Sequence, residues 1–288
     1  MKKIPVVYII GSGHCGSTLL DLVLDSHSKI IGVGELYQYP KQKKEQKGLI
    51  CTCGKKVIEC NFWKQVFEDI EPKFNFKVFR SKKDFLLNKK KFFELDKGPD
   101  RKINLKNYIE LHEEIYNRIL HISGEKVVVD SSKDPDRAEL LLGSNKLSII
   151  LLHLVRDGRA VAWSYKKKYK RTVMPINGGK RWFFKNIKTE IIKKRNNVEN
   201  IFVKYEDFCK NPEKILRRIL KKLNLEFEPE MLNFRDKIHH QIEGNRLRFS
   251  KSKKIRVDNS WKKEMPILDR LKFNFLFGWL NLIYKLRK

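Results

Sequence analysis

The feature that most constrains the fold lies near the N-terminus. Val6–Ile10 is a short, mostly β-branched apolar run, and it leads directly into Gly11-Ser12-Gly13-His14-Cys15-Gly16-Ser17-Thr18. A helical pattern, Thr18–Asp25, follows at once. A buried strand that breaks into a glycine turn and re-enters as a helix is the repeating unit of parallel α/β sheets. The turn also has chemistry of its own. Consecutive backbone N–H groups at a helix start form a cradle for an anion. The spacing from Gly11 to Gly16 matches a phosphate-binding loop, but Ser17 stands where a Lys would reach the β- and γ-phosphates. That replacement argues against an ordinary Mg-ATP kinase or GTPase.

Three more runs read as buried parallel strands: Val127–Asp130, Ile149–Val155 and Ile201–Tyr205. Helical patterns separate them. Leu105, Tyr108, Ile109, Ile115, Tyr116, Ile119 and Leu120 mark one apolar face, and Trp182, Phe183, Ile187, Ile191 and Ile192 mark another. Asn211-Pro212-Glu213 has the form of a helix start, with Ile215, Leu216, Ile219, Leu220 and Leu223 behind it. The expectation is a single α/β domain over residues 1–288, a central parallel sheet flanked by helices. Residues 36–104, which include the charged run 41–48 and a Lys- and Phe-rich stretch at 72–104, read as an insertion capping the sheet.

Composition narrows the function class. The chain has 63 Lys and Arg against 34 Asp and Glu, a net charge of +29, which calls for an anionic partner or reflects a lysine-rich composition throughout. The apolar run at Ile4–Ile10 is too short for a spanning helix or a signal peptide, so a cytoplasmic protein is expected. Five cysteines, an odd number, argue against a disulfide scaffold.

The run Gly13-His14-Cys15-Gly16-Ser17-Thr18-Leu19-Leu20 resembles the 5′-phosphosulfate loop of sulfotransferases. These enzymes have a P-loop-type fold and use 3′-phosphoadenosine 5′-phosphosulfate (PAPS) as donor. His14 and Cys15 stand where that family has a basic residue and a Ser. A second motif is independent of the first. Ile149–Val155 runs into Arg156, and Ser164 follows eight positions later, an arrangement similar to the family's 3′-phosphate site. An Arg fork at a strand end can grip a phosphate through two bonds. The alternative is an Arg paired with its neighbour Asp157.

Other stretches look like bacterial members of the family. Val129–Pro135 places Lys133 where the resemblance implies contact with the bridging oxygen of the phosphosulfate, although Asp134-Pro135 also reads as a helix cap. Val203–Asp207 implies an aromatic, Tyr205, near the nucleotide, with core packing as the alternative. Gly244–Phe249 implies a loop closing over the nucleotide through Asn245, Arg246 and Arg248, and Trp261-Lys262 is a further landmark. The resemblance therefore implies cofactor-binding residues Gly13, His14, Cys15, Gly16, Ser17, Thr18, Leu19, Arg156, Ser164, Tyr205, Asn245, Arg246 and Arg248.

Sulfuryl transfer needs in-line positioning, stabilisation of the leaving phosphate oxygen and removal of the acceptor's proton. No metal is required. Glu35, between flexible glycines and Leu36, is the candidate base, with His14 and His27 as rivals and Lys133 as the cation at the leaving oxygen. The acceptor implied is a hydroxyl or amine, favoured as that of a carbohydrate or polyanionic glycan. A peptide tyrosine or a lipid-linked group is the alternative. Two other classes compete. A P-loop kinase lacks its Lys here, and a nucleic-acid binder has charge on its side but no recognition motif.

Cys51, Cys53 and Cys60 invite a metal, but zinc takes four ligands and no His lies close by in sequence. No metal is expected, and whether these thiols pair is open. Bacterial relatives carry a similar Cys-x-Cys-Gly segment, which implies a structural part of the cap. In the tail from residue 266, Leu271, Phe275, Phe277, Leu280, Leu282 and Tyr284 suggest a helix packed on the body. Flanking lysines leave a peripheral membrane contact as the second reading.

Overall fold

The computed structural model describes residues 3–38, 49–68, 70, 99–169 and 174–287, with the backbone alone over 99–105. The charged run 41–48 and the stretch 72–98 lie outside the described residues.

Five strands, all parallel, form the sheet: β1 (Ile4–Gly11), β2 (Ile30–Gly34), β3 (Val127–Lys133), β4 (Leu147–Val155) and β5 (Asn200–Lys204), in the order β2-β3-β1-β4-β5. The expected α/β class is the one found. β1 is central, with Val6 opposite Val128 of β3 and Ile149 of β4. Its alternate residues feed two cores. Val6, Tyr8 and Ile10 face one layer, and Val7 and Ile9 face the other, as a strand buried on both sides requires.

The helices are α1 (Ser17–Asp25), α2 (Asn61–Phe67), α3 (Pro99–Ser123), α4 (Pro135–Leu141), α5 (Gly158–Tyr169), α6 (Pro175–Asn196), α7 (Tyr205–Lys210), α8 (Pro212–Lys222), α9 (Trp261–Glu264) and α10 (Ile267–Leu286). The first layer takes Trp63 and Val66 from α2, Leu111, Ile115, Tyr116 and Ile119 from α3, and Ala138 and Leu141 from α4. The second takes Leu20, Val23 and Leu24 from α1 and Ile215, Leu216, Ile219 and Leu220 from α8. The described residues between 36 and 70 thus share the sheet's own core.

Four expectations need correcting. β2 was not expected as a strand, because two glycines in five residues break the apolar pattern. The packing of α1 over β2 explains Gly32, where a Cβ would lie 2.2 Å from the Asp21 carboxylate and 2.9 Å from Asp25 Cβ. β5 stops at Lys204, so Tyr205 opens a helix and does not end a strand. Asn211 precedes α8 but its side chain makes no cap hydrogen bond, whereas Asp134 caps α4 by accepting from the N–H groups of Asp136 and Arg137. Finally, α10 packs on the body through Phe273, Phe277, Leu280 and Tyr284, while Leu271, Phe275 and Leu282 are exposed. The buried positions are spaced at three and four residues, the period of a helix stripe. Among the described residues, no helix is long and apolar enough to cross a membrane.

Candidate active site

In an open parallel sheet, ligands bind beyond the C-terminal strand ends where the strand order reverses. Here the chain leaves β1 for β2 on one side, while β4 lies on the other. At that end a cavity of about 600 Å³ opens, a size usual for small-molecule sites. Every strand delivers a residue to it. β1 leads to Ser12, Gly13, His14, Gly16, Ser17 and Thr18, β2 to Glu35, β3 to Lys133, β4 to Arg156 and β5 to Tyr205. Eight Lys or Arg side chains line it against four acids.

The β1–α1 loop is bent by positive φ at His14 (65°) and Gly16 (96°). Gly16 has no room for a side chain, since a Cβ there would sit 2.3 Å from the Tyr205 ring. α1 begins at the cavity without a side-chain cap, with Gly16 at its N-cap position, and a helix start of this kind can hold an anion. Cys15 turns away and is buried in the second core layer.

Arg156 anchors the other wall. One of its terminal nitrogens donates to the His14 carbonyl at 3.2 Å. The other donates to the Asp258 carbonyl at 2.8 Å and its carboxylate at 3.0 Å. The guanidinium lies 4.7 Å over the Tyr205 ring. Its Nε is buried with no partner among the described residues. Asp157 pairs with Arg159 and not with Arg156, so the competing ion pair does not form. Ser164 lines the same cavity and its hydroxyl lies 3.0 Å from His14 Nδ1. Burial, reinforced by the charges of Lys168, Lys133 and Arg156, lowers the His14 pKa to about 4. His14 is therefore neutral near pH 7 and is not the cation its position suggests.

Lys133 sits at the end of β3 with φ of 61°, a conformation rare for a side chain of this size and recurrent at functional sites. It donates to Glu35 Oε1 at 2.7 Å and to the Ser131 carbonyl at 2.8 Å. Burial pushes the Glu35 carboxyl up, but the Lys133 charge and hydrogen bonds from Lys133, Tyr37 and Gln38 outweigh it. The carboxyl is held below its ordinary range.

The remaining expected residues divide. Leu19 lines the cavity, and Asn245 joins it there, its N–H donating to Thr18 Oγ1 at 3.1 Å. Arg246 is exposed and absent from the lining. Arg248 is buried inside its own loop, donating to the Glu243 carbonyl at 2.8 Å, and does not reach the lining. His27 is also elsewhere, at the end of α1, with Nε2 2.9 Å from the Glu226 carbonyl. Other cations line the cavity in their place: Arg235, Lys254 and Arg256 near the closing loop, and Lys168, Arg181 and Lys185 on α5 and α6. Lys254 and Arg256 fall within the basic run 251–256, a signal that could have been read in the sequence.

The metal reading changes most. His240, remote in sequence, joins Cys51, Cys53 and Cys60, and the four ligand atoms lie within 4.8 Å of one another. No fourth candidate lies near the cysteines in sequence, because His240 comes from the C-terminal part of the chain.

Two solved structures share the architecture. The sulfotransferase domain from the Synechococcus PCC 7002 olefin synthase matches with a TM-score of 0.54 at 19% identity, over 96% of this chain and 95% of that one. The sulfotransferase domain from the curacin biosynthetic pathway matches with a TM-score of 0.52 at 18% identity, over 96% of this chain and 99% of that one. No family model and no curated protein matches the sequence. The chain has the fold of sulfotransferase domains.

Proposed function

We propose that the chain transfers a sulfuryl group from PAPS to a hydroxyl or amine of a carbohydrate or polyanionic glycan. The observation that carries this reading is a convergence at one cavity: an anion-binding loop without a Walker Lys, an Arg with an unpartnered buried Nε, and a Lys–carboxylate pair between them. The donor would supply a sulfonate on a good leaving group. The first-turn N–H groups of α1, with Ser17 and Thr18, would hold its 5′-phosphate. Arg156 and Ser164 would hold the 3′-phosphate. Asp258 is half exposed, so it can yield its place on Arg156 to that phosphate. Lys133 would turn from Glu35 to the bridging oxygen and neutralise the charge growing there. Glu35, freed of its cation, would accept the acceptor's proton as the acceptor oxygen bonds to sulfur and the sulfur–phosphate oxygen bond breaks. His14, neutral, would keep Ser164 oriented.

Tyr165, Tyr169, Lys168, Arg181 and Lys185 also line the cavity, and an aromatic and cationic wall suits an anionic sugar. The test is thermal unfolding with adenosine 3′,5′-bisphosphate and, separately, with Mg-ATP. A rise in midpoint with the bisphosphate alone is expected. A rise with Mg-ATP alone would overturn the reading in favour of a kinase.

A further inference from the structure

We propose that Cys51, Cys53, Cys60 and His240 form a structural zinc site that ties the cap to the loop bracketing Glu35. The distances fit the metal. With Zn–S about 2.3 Å and Zn–N about 2.0–2.1 Å, a tetrahedron has S···S edges of about 3.8 Å and S···N edges of about 3.6 Å. Cys53 and Cys60 sulfurs are 3.7 Å apart, and His240 Nδ1 is 3.3 Å from the Cys60 sulfur and 3.8 Å from that of Cys51. All five cysteines of the chain are free thiols, so none of these contacts is a disulfide. Three thiolates and an imidazole select zinc among the common divalent ions, and four protein ligands leave no open position, which makes the site structural. Binding would displace three thiol protons and leave a complex of charge −1.

The surroundings are those of a built site. Cys51 donates its N–H to the Lys55 carbonyl at 2.8 Å, and Gly54, at φ of 91°, donates to the Cys51 carbonyl at 2.9 Å, which closes a tight knuckle around the first two sulfurs. Cys60 lies at the start of α2. The His240 ring stacks on Phe62 at 5.0 Å, and its carbonyl accepts from the Trp63 indole at 2.7 Å. These contacts orient the ligands much as outer-shell partners do in known sites.

The consequence reaches the cavity. Two residues beyond His240, Ile242 donates to the Val33 carbonyl at 3.0 Å and accepts from the Glu35 N–H at 2.7 Å. Thr52, between two of the cysteines, donates its N–H to the Gln241 carbonyl at 3.2 Å. The zinc would therefore lock the strand end that carries Glu35 to the cap, without touching substrate.

The test uses the full chain, purified without a metal-affinity tag from cells grown with zinc. Elemental analysis should find one zinc per chain. Replacement by Co²⁺ should give the visible bands of a tetrahedral thiolate site. Cys51→Ser and Cys60→Ser should lose the metal, while Cys209→Ser, a cysteine outside the cluster, should keep it. Chelation of the wild type should lower its thermal midpoint by several degrees. Folded wild-type protein free of zinc that takes up no Co²⁺ would overturn the proposal. So would a Cys53–Cys60 disulfide in mass spectra, or full zinc retention by both serine variants. Should the two variants fail to fold, the metal content and cobalt spectrum of the wild type decide the matter alone.

Discussion

Replacing Arg156 with Ala isolates the proposed 3′-phosphate grip. The side chain is buried and makes three hydrogen bonds, to the His14 and Asp258 carbonyls and the Asp258 carboxylate. Asp258 is half exposed, so losing its partner leaves no charge stranded in the core, and the variant should fold. A charge-assisted bond to phosphate is worth about 2 kcal/mol, which is roughly a thirty-fold rise in Kd. At a bisphosphate concentration near 100 times the wild-type Kd, binding stabilises the wild type by about 2.7 kcal/mol. The same concentration is only about three times the variant's Kd and stabilises it by about 0.9 kcal/mol. At roughly 2–4 °C per kcal/mol for a chain of this size, the ligand-induced rise should fall from about 5–11 °C to about 2–4 °C. The assay is a thermal melt with and without ligand, so any loss of stability in the free variant is subtracted. An unchanged rise would refute the assignment of Arg156 to the phosphate.

Three further outcomes are expected. Glu35→Gln should leave bisphosphate binding intact and slow turnover by about 10²–10⁴-fold in a bisphosphate-release assay; full turnover would move the base elsewhere. His14 has its folded pKa lowered to about 4 from an ordinary 6.5. The unfolded chain therefore binds its proton first, and His14 costs stability as pH falls from about 6.5 to about 4, by at most about 3 kcal/mol. His14→Gln should flatten that part of the stability–pH curve measured by denaturant titration, and an identical slope would sink the argument. Phe273→Ala, at a buried ring packed 5.7 Å from Trp182, should destabilise the chain by about 3–5 kcal/mol and weaken bisphosphate binding as well; a loss under about 1 kcal/mol in urea unfolding would contradict the packing.

The parts of the fold legible in the sequence are those whose physics is local. β1, its glycine turn and α1 form one continuous signal, because a buried strand, a positive-φ turn and an uncapped helix start each leave a mark in neighbouring residues. β3 and β4 were legible for the same reason, and so was Arg156 at the end of β4, although β3 runs three residues past the expected Asp130 and Lys133 at its end was marked by the family likeness alone. β2 was hidden because its glycines answer to packing, with Asp21 filling the space of a side chain at Gly32. The family likeness placed Arg246 and Arg248 on the nucleotide by their order in the chain, but order does not fix direction. The turn at Arg246–Phe249 sends one side chain to solvent and folds the other back on the Glu243 carbonyl.

What could not be read is how the C-terminal part closes the site, because each closing contact spans a long stretch of chain. Asp258 meets Arg156 from 102 residues away, and His240 meets Cys60 from 180. Asn281 of α10 accepts from the Gly158 N–H at 2.9 Å, across 123 residues. That last contact joins others behind the same corner. Trp182 donates to the Arg156 carbonyl at 3.0 Å, and a Cβ on Gly158 would lie 2.3 Å from Phe273. The tail helix therefore backs the turn that aims Arg156, while its opposite face stays exposed. A residue that binds an anion by two precise bonds needs a rigid backbone beneath it. Here that rigidity comes from a segment whose own sequence carries no trace of the site. On the proposed assignment of Arg156 to the donor's 3′-phosphate, changes in α10 should weaken bisphosphate binding without altering any residue proposed to touch it.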